Sequence, residues 1–67
     1  MTNGTVKWFD AQKGYGFITY NETEEIFVHF TGIVSDGFKT LKENQVVSFE
    51  IKDALRGPQA TNVTVID

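Results

Sequence analysis

Residues 13–30, KGYGFITYNETEEIFVHF, carry the side chains of this chain that are best suited to specific chemistry. Tyr15 and Phe17, and then Phe27 and His29, recur at every second position, which places them on one side of two β-strands, together termed the aromatic face. Aromatic rings stack on planar groups, and an imidazole can bind a metal or transfer a proton. The rest of the sequence decides among these chemistries.

Metal binding and nucleophilic catalysis receive little support. His29 is the single histidine, cysteine is absent, and the nearest acidic residues, Glu24 and Glu25, offer no recognisable ligand spacing. Ser35 and Ser48 share no motif with His29 that would make either a nucleophile. The GYG tripeptide has neither the GxGxxG pattern nor the Lys-Ser/Thr ending of a phosphate-binding loop. We therefore predict no enzymatic activity, no catalytic residue, no metal site and no cofactor.

Five segments rich in β-branched and aromatic residues predict a small all-β fold. They lie near residues 4–10, 15–20, 25–30, 46–53 and 59–66, with turns expected at AQKG, NETE, KENQ and LRGP. The longest connection, TGIVSDGFKTL, has room for one short helical turn. A chain of 67 residues makes one domain with a single small core.

The second and third strands are apolar on both sides, but the two sides differ in kind. Ile18, Ile26 and Val28 suit a barrel interior, because aliphatic side chains pack well on a pleated surface. The aromatic face then lies outside, since the one segment that could cover it, residues 31–45, has few apolar residues. Each ring left outside forgoes on the order of 1.5 to 3 kcal/mol of burial. An apolar patch of that size usually marks a binding surface.

Alternation also predicts which side chains of the fourth strand face the core, but it does not decide which side chains of the first strand do so. In the fourth strand it places Val47, Phe49 and Ile51 on one side, the pattern of a half-buried structural strand. In the first strand Trp8 and Phe9 are neighbours, and strict alternation exposes one of them unless a bulge intervenes.

Cations near the aromatic face indicate that its ligand is single-stranded nucleic acid. Unpaired bases stack on exposed rings at about 1 to 3 kcal/mol per base, while Lys and Arg contact phosphates. Lys7, Lys13, Lys39 and Arg56 lie beside the predicted strands or in the adjoining loops. The net charge is −3, so we expect binding that depends more on stacking than on charge. A different class of function, a module whose aromatic face docks on a partner protein, remains open.

A known sequence signature occurs in the same segment. KGYGFITY, residues 13–20, matches the RNP1 octapeptide K/R-G-F/Y-G/A-F-V-x-F/Y at every position except Ile18. An RRM domain would need two helices and an RNP2 strand before RNP1, whereas IFVHF follows it here. Over essentially its whole length the chain resembles bacterial cold shock proteins, with GTVKWF, KGYGFI, IFVHF, GFKTL, VSFEI and RGPQATNV in family order.

The resemblance implies one cold-shock domain over residues 1–67, folded as a five-stranded antiparallel barrel of the OB type. It implies binding to single-stranded RNA and DNA, and we expect an RNA chaperone that supports transcription and translation, notably at low temperature. The absence of cysteine and of an apolar stretch long enough to span a bilayer favours a cytoplasmic location. We expect a monomer and a preference for pyrimidine-rich strands, which unstack most easily. The predicted nucleic-acid-binding residues are Lys7, Trp8, Phe9, Lys13, Tyr15, Phe17, Phe27, His29, Phe30, Phe38, Lys39 and Arg56, of which Trp8, Phe30 and Phe38 depend mainly on the resemblance.

Three residues depart from the family pattern. Asp10 replaces the usual Asn and adds a negative charge beside Lys7 and Trp8, which puts polar contacts to bases there in question. Tyr15 replaces the commoner Phe, a conservative change for stacking. Asn44 stands in a turn where Gly is frequent, and Asn also tolerates a left-handed backbone.

Overall fold

The computed structural model describes residues 1–34 and 40–66, and within them the chain forms a closed β-barrel of five strands. The strands are β1 (Thr2–Asp10), β2 (Tyr15–Tyr20), β3 (Glu24–His29), β4 (Val46–Ala54) and β5 (Gly57–Val65). A 3-10 turn, Phe30–Gly32, follows β3 and begins the long connection. Each strand lies within two residues of its predicted bounds, and the all-β, OB-type prediction is confirmed. In the described ranges no helix is long and apolar enough to cross a membrane.

The strand order around the barrel is β1, β2, β3, β5, β4. Consecutive strands alternate in direction, and β4 pairs antiparallel with β1, so β5 must run the same way as β3 when the barrel closes. The β3–β5 pairing is accordingly parallel and short, with Phe27 opposite Gln59 and Val28 opposite Ala60. The other four neighbouring pairs are antiparallel, as predicted.

The core is aliphatic with one large ring at its centre. Phe49 is fully buried, and Tyr20 packs edge-on against it with ring centroids 5.7 Å apart. The remaining buried residues include those of the predicted aliphatic face and come from every strand: Val6, Ile18, Ile26, Val28, Ile33, Leu41, Val47, Ala60 and Val63. The inward assignment of Ile18, Ile26, Val28, Val47 and Phe49 is therefore confirmed.

Ile51 does not share the burial of the other core-side residues of β4. It is 45% exposed, although it follows Phe49 by two positions. A bulge displaces the β4–β5 register between Ser48 and Glu50, and all of residues 50–54 beyond it are exposed. The distal half of the β4–β5 hairpin thus extends past the core, so alternation alone does not bury Ile51.

Candidate nucleic-acid interface

A bulge at Lys7 determines which first-strand side chains reach the aromatic face. In the β1–β2 register Val6 pairs with Ile18 and Trp8 pairs with Phe17, so Lys7 is an additional residue without a partner in β2. Without that residue, alternation from buried Val6 would turn Trp8 inward. After this additional residue, the inward and outward positions along β1 are exchanged. Trp8 therefore lies beside Phe17 on the outer side.

Phe9 lies on the other side of β1, opposite Gly16, and packs against the core. This approach requires glycine, because a Cβ at Gly16 would overlap the Trp8 carbonyl oxygen and lie 2.7 Å from the Phe9 Cα atom. The structure therefore answers the question that the sequence left open for Trp8 and Phe9. It does not bring Phe9 to the aromatic face.

The aromatic face and two further rings, those of Trp8 and Phe30, form one contiguous surface across β1, β2 and β3, here termed the ring cluster. Cross-strand pairing aligns the rings, because Phe17 lies opposite Phe27 and Tyr15 lies opposite His29. Neighbouring ring centroids are 4.6 to 6.5 Å apart, from His29–Phe30 to Phe27–His29. Trp8 joins at 5.8 Å from Tyr15 and 5.5 Å from Phe17. Six rings that the sequence separates by up to 22 positions thus meet on the outside of the barrel.

Five of the six rings of the cluster are half-buried, and every ring packs against at least one neighbouring ring. Tyr15, Phe17 and Phe27 have intermediate exposure, whereas Phe30 at the end of the cluster is 41% exposed. The burial free energy that these rings forgo is therefore smaller than the value of about 1.5 to 3 kcal/mol expected for a fully exposed ring. Each ring still keeps part of its surface in solvent, where a planar ligand can reach it.

Local backbone structure holds the His29 end of the cluster in place. The Thr31 backbone N–H donates to His29 Nδ1 at 3.4 Å, and the Thr31 hydroxyl lies 3.0 Å from the same nitrogen. Because Nδ1 accepts that bond, the neutral ring carries its proton on Nε2 and can donate it to a ligand. His29 also caps the 3-10 turn that begins at Phe30.

Phe30 packs over the turn between β1 and β2. Its backbone N–H donates to the Gly14 carbonyl oxygen at 2.8 Å, and its ring covers Gly14. Gly14 has φ +79°, and a Cβ there would lie 2.7 Å from the Phe30 Cδ1 atom. A side chain at position 14 would therefore displace Phe30 from the cluster as well as strain the turn.

Asp10 closes the same turn with its side chain. Its Oδ1 atom accepts hydrogen bonds from the backbone N–H groups of Gln12 at 2.9 Å and Lys13 at 3.0 Å. An Asn side chain has the same oxygen, so the substitution keeps this structural role. The difference lies in the second terminal atom, which in Asp10 can accept a hydrogen bond but cannot donate one.

Three of the predicted cations lie in the described part of the chain, and they differ in their surroundings. Lys7 Nζ lies 2.7 Å from Glu25 Oε2 across β2. Lys13 is exposed in the β1–β2 turn and Arg56 is exposed in the β4–β5 turn, and within the described ranges neither takes part in an ion pair. Phe38 and Lys39 fall outside the described residues.

A groove of about 710 Å³ runs between the ring cluster and the tip of the β4–β5 hairpin. Phe17, Phe27 and His29 line one side of it, and Arg56 lies on the other. The sequence-based site lacked six further lining residues: Glu25, Ala54, Leu55, Gly57, Pro58 and Gln59. Of these, Leu55 is fully exposed. Its apolar side chain in the turn sequence LRGP is the one feature of the sequence that could have indicated a role of this turn in the site.

The described residues also contain no group of three or more His, Asp or Glu side chains that could hold a metal ion. The arrangement therefore offers stacking surfaces, a hydrogen-bond donor on His29 and cations at the margins. These are the requirements for holding unpaired bases and their phosphates.

Comparison with known proteins gives a consistent result. Residues 2–66 match the family model of the "'Cold-shock' DNA-binding domain". A cold shock-like protein of Thermotoga maritima is 58% identical over 64 residues, which cover 96% of this chain and 97% of the relative. Cold shock protein 1 of Lactiplantibacillus plantarum is 60% identical over 63 residues, covering 94% and 96%. Cold shock-like protein CspD of Bacillus cereus is 61% identical over 64 residues, covering 96% and 97%.

Proposed function

Because the chain belongs to the cold-shock domain family, whose members bind nucleic acid, we propose that it is an RNA chaperone that binds single-stranded RNA and DNA through the ring cluster. The observation that supports this proposal most is the continuity of the cluster. Six rings, on three strands and the adjoining 3-10 turn, present their outer surfaces side by side with neighbouring centroids no more than 6.5 Å apart.

Binding begins when unpaired bases stack on the exposed parts of Trp8, Phe17, Phe27 and Phe30. Each stacked base contributes about 1 to 3 kcal/mol, and the contribution depends little on base identity because every base has a π-face. His29 Nε2–H can donate to a base oxygen, and Lys13 and Arg56 can approach the phosphates of the same strand. The groove beside Arg56 gives the strand a path between the ring cluster and the hairpin tip.

The chaperone effect requires no energy source, because it is a binding equilibrium. A ligand that binds only the unpaired state of an RNA segment shifts the pairing equilibrium toward that state by mass action. Binding by a few stacked bases is moderate and reversible, so the protein can leave when a ribosome or polymerase arrives. This property would matter most at low temperature, where misplaced RNA pairing is most stable. A monomeric state and a cytoplasmic location remain predictions of the same proposal.

The proposal predicts saturable binding of oligothymidine or oligouridine and much weaker binding of a duplex. Duplex bases are already paired and stacked, so rings that are fixed on a sheet cannot reach their faces. A homopyrimidine strand should also bind more tightly than an adenine strand of equal length, because adenines stack more strongly on one another.

Fluorescence of Trp8, the single tryptophan, measures this directly. We expect quenching that saturates with single strands and is weak with the duplex at equal nucleotide concentration. Equal binding of duplex and single strand would contradict the proposal. A complete lack of quenching by any nucleic acid would instead leave docking on a partner protein as the use of these rings.

A further inference from the structure

The ion pair between Lys7 and Glu25 places an acidic side chain at the margin of the ring cluster. The Lys7 Nζ atom and the Glu25 Oε2 atom are 2.7 Å apart, and in the described part of the chain this is the one salt bridge. Both side chains are about half exposed, at 50% and 45%. The pair is therefore accessible to a third charged group from solvent.

The position of the pair follows from the strand register. Lys7 follows buried Val6 and therefore faces outward, and the bulge places Trp8 on the same outer side. Glu25 belongs to the same side of β3 as Phe27 and His29, and it lines the groove beside Arg56. The salt bridge thus crosses β2 on the binding side of the barrel, within the proposed path of the strand.

A phosphate at this margin and the Glu25 carboxylate are alternative partners for one ammonium group. Both are anions that bind a lysine by charge-assisted hydrogen bonds of similar length. They also repel each other, because both would lie within one Debye length of about 10 Å at 0.1 M salt. The net contribution of Lys7 to the free energy of binding is therefore the difference between two contacts, the one it makes with the phosphate and the one with Glu25 that it gives up.

We propose, building on the proposed function, that Glu25 competes with a phosphate of the bound strand for Lys7 and thereby limits both the affinity for single strands and its salt dependence. Glu25 acts through Lys7 and does not itself hold the ligand. This competition keeps binding weak at the Lys7 margin and leaves stacking as the main source of affinity. It also speeds release, since the carboxylate takes the ammonium back as the phosphate leaves.

The variant Glu25→Gln tests the competition, with Glu24→Gln as its matched control. The two residues are adjacent on β3, both are exposed, and both substitutions change the net charge equally. Glu24 belongs to the opposite side of the strand, since successive side chains alternate. Oligothymidine dissociation constants are measured by Trp8 quenching between 50 and 500 mM salt, with circular dichroism to confirm that each variant is folded.

We expect Glu25→Gln to bind about two- to fivefold more tightly than Glu24→Gln at low salt, the range that a surface ion pair can account for. The slope of log K against log salt should become more negative by about 0.7, because one more phosphate is neutralised. In a Lys7→Gln background, the difference between the two substitutions should shrink, since the competed ammonium is gone and only the direct repulsion between carboxylate and phosphate remains.

Three results would overturn the inference while leaving the proposed function intact. The first is equal affinity and slope for Glu25→Gln and Glu24→Gln. The second is weaker binding by Glu25→Gln than by the unsubstituted protein, which would mean that the carboxylate contacts the strand. The third is an advantage of Glu25→Gln that is undiminished in the absence of Lys7. Absence of any single-strand binding by the unsubstituted protein would contradict the proposed function itself.

Discussion

Replacing Phe49 by alanine is expected to lower the free energy of unfolding by about 3 to 5 kcal/mol, because it leaves a cavity that the barrel cannot close. Phe49 has no exposed surface and is the largest fully buried side chain. A chain of this length has about 3 to 10 kcal/mol of total stability, so the loss is a large fraction of it. Urea denaturation followed by Trp8 fluorescence measures the change.

Phe49→Leu is the control for this substitution, since it retains most of the buried volume and should cost much less than the alanine variant. Affinity for single strands should be unchanged in the fraction of Phe49→Ala molecules that remains folded, because Phe49 lies on the inner side of the barrel. A loss below about 1 kcal/mol for Phe49→Ala would contradict the described core.

Replacing Phe17 or Phe27 by alanine is expected to have the opposite effect to Phe49→Ala, with a large loss of affinity for single strands and a small loss of stability. Each change should weaken oligothymidine binding by about 1 to 3 kcal/mol, because one stacked base loses its ring. A loss of 1.4 kcal/mol corresponds to a tenfold higher dissociation constant. The rings are half-buried, so the free energy of unfolding should fall by no more than about 1.5 kcal/mol.

Ile51→Ala is a matched control for the ring variants. Ile51 is an apolar strand residue that is also about half exposed, but it is not part of the ring cluster or of the groove beside it. Its truncation should leave affinity unchanged. If Phe17→Ala destabilises the barrel as severely as Phe49→Ala, then the assignment of Phe17 to the outer side is wrong.

The sequence predicted most of the fold because strand alternation is a strong local signal here. Ile18, Ile26 and Val28 alternate without interruption with aromatic residues, and the structure buries all three. The turn at Asn44 was also predictable, since Asn tolerates the left-handed backbone that it adopts, with φ +70°.

Interruptions of the alternation were not predictable in the same way. The bulge at Lys7 decides that Trp8 faces outward, and its position depends on pairing with β2 rather than on local sequence. The bulge in the β4–β5 pairing likewise precedes the exposed distal part of β4, where Ile51 lies. The Lys7–Glu25 contact joins residues 18 positions apart on two strands that do not pair with each other, so no spacing rule would have indicated it.

The salt dependence of oligothymidine binding tests most directly whether stacking on the ring cluster is the main source of affinity. The sequence-based site contains at most five cations: Lys7, Lys13, Lys39, Arg56 and, when protonated, His29. At about −0.7 per neutralised phosphate, log K against log salt should fall with a slope no steeper than about −3.5. Competition at Lys7 removes about 0.7 from this limit, so the slope for the unsubstituted protein should be no steeper than about −2.8. Stacking is not screened by salt, so binding should remain measurable at several hundred millimolar salt. A steeper slope, with complete loss of binding at that salt, would show that phosphate contacts hold the strand and would contradict the account.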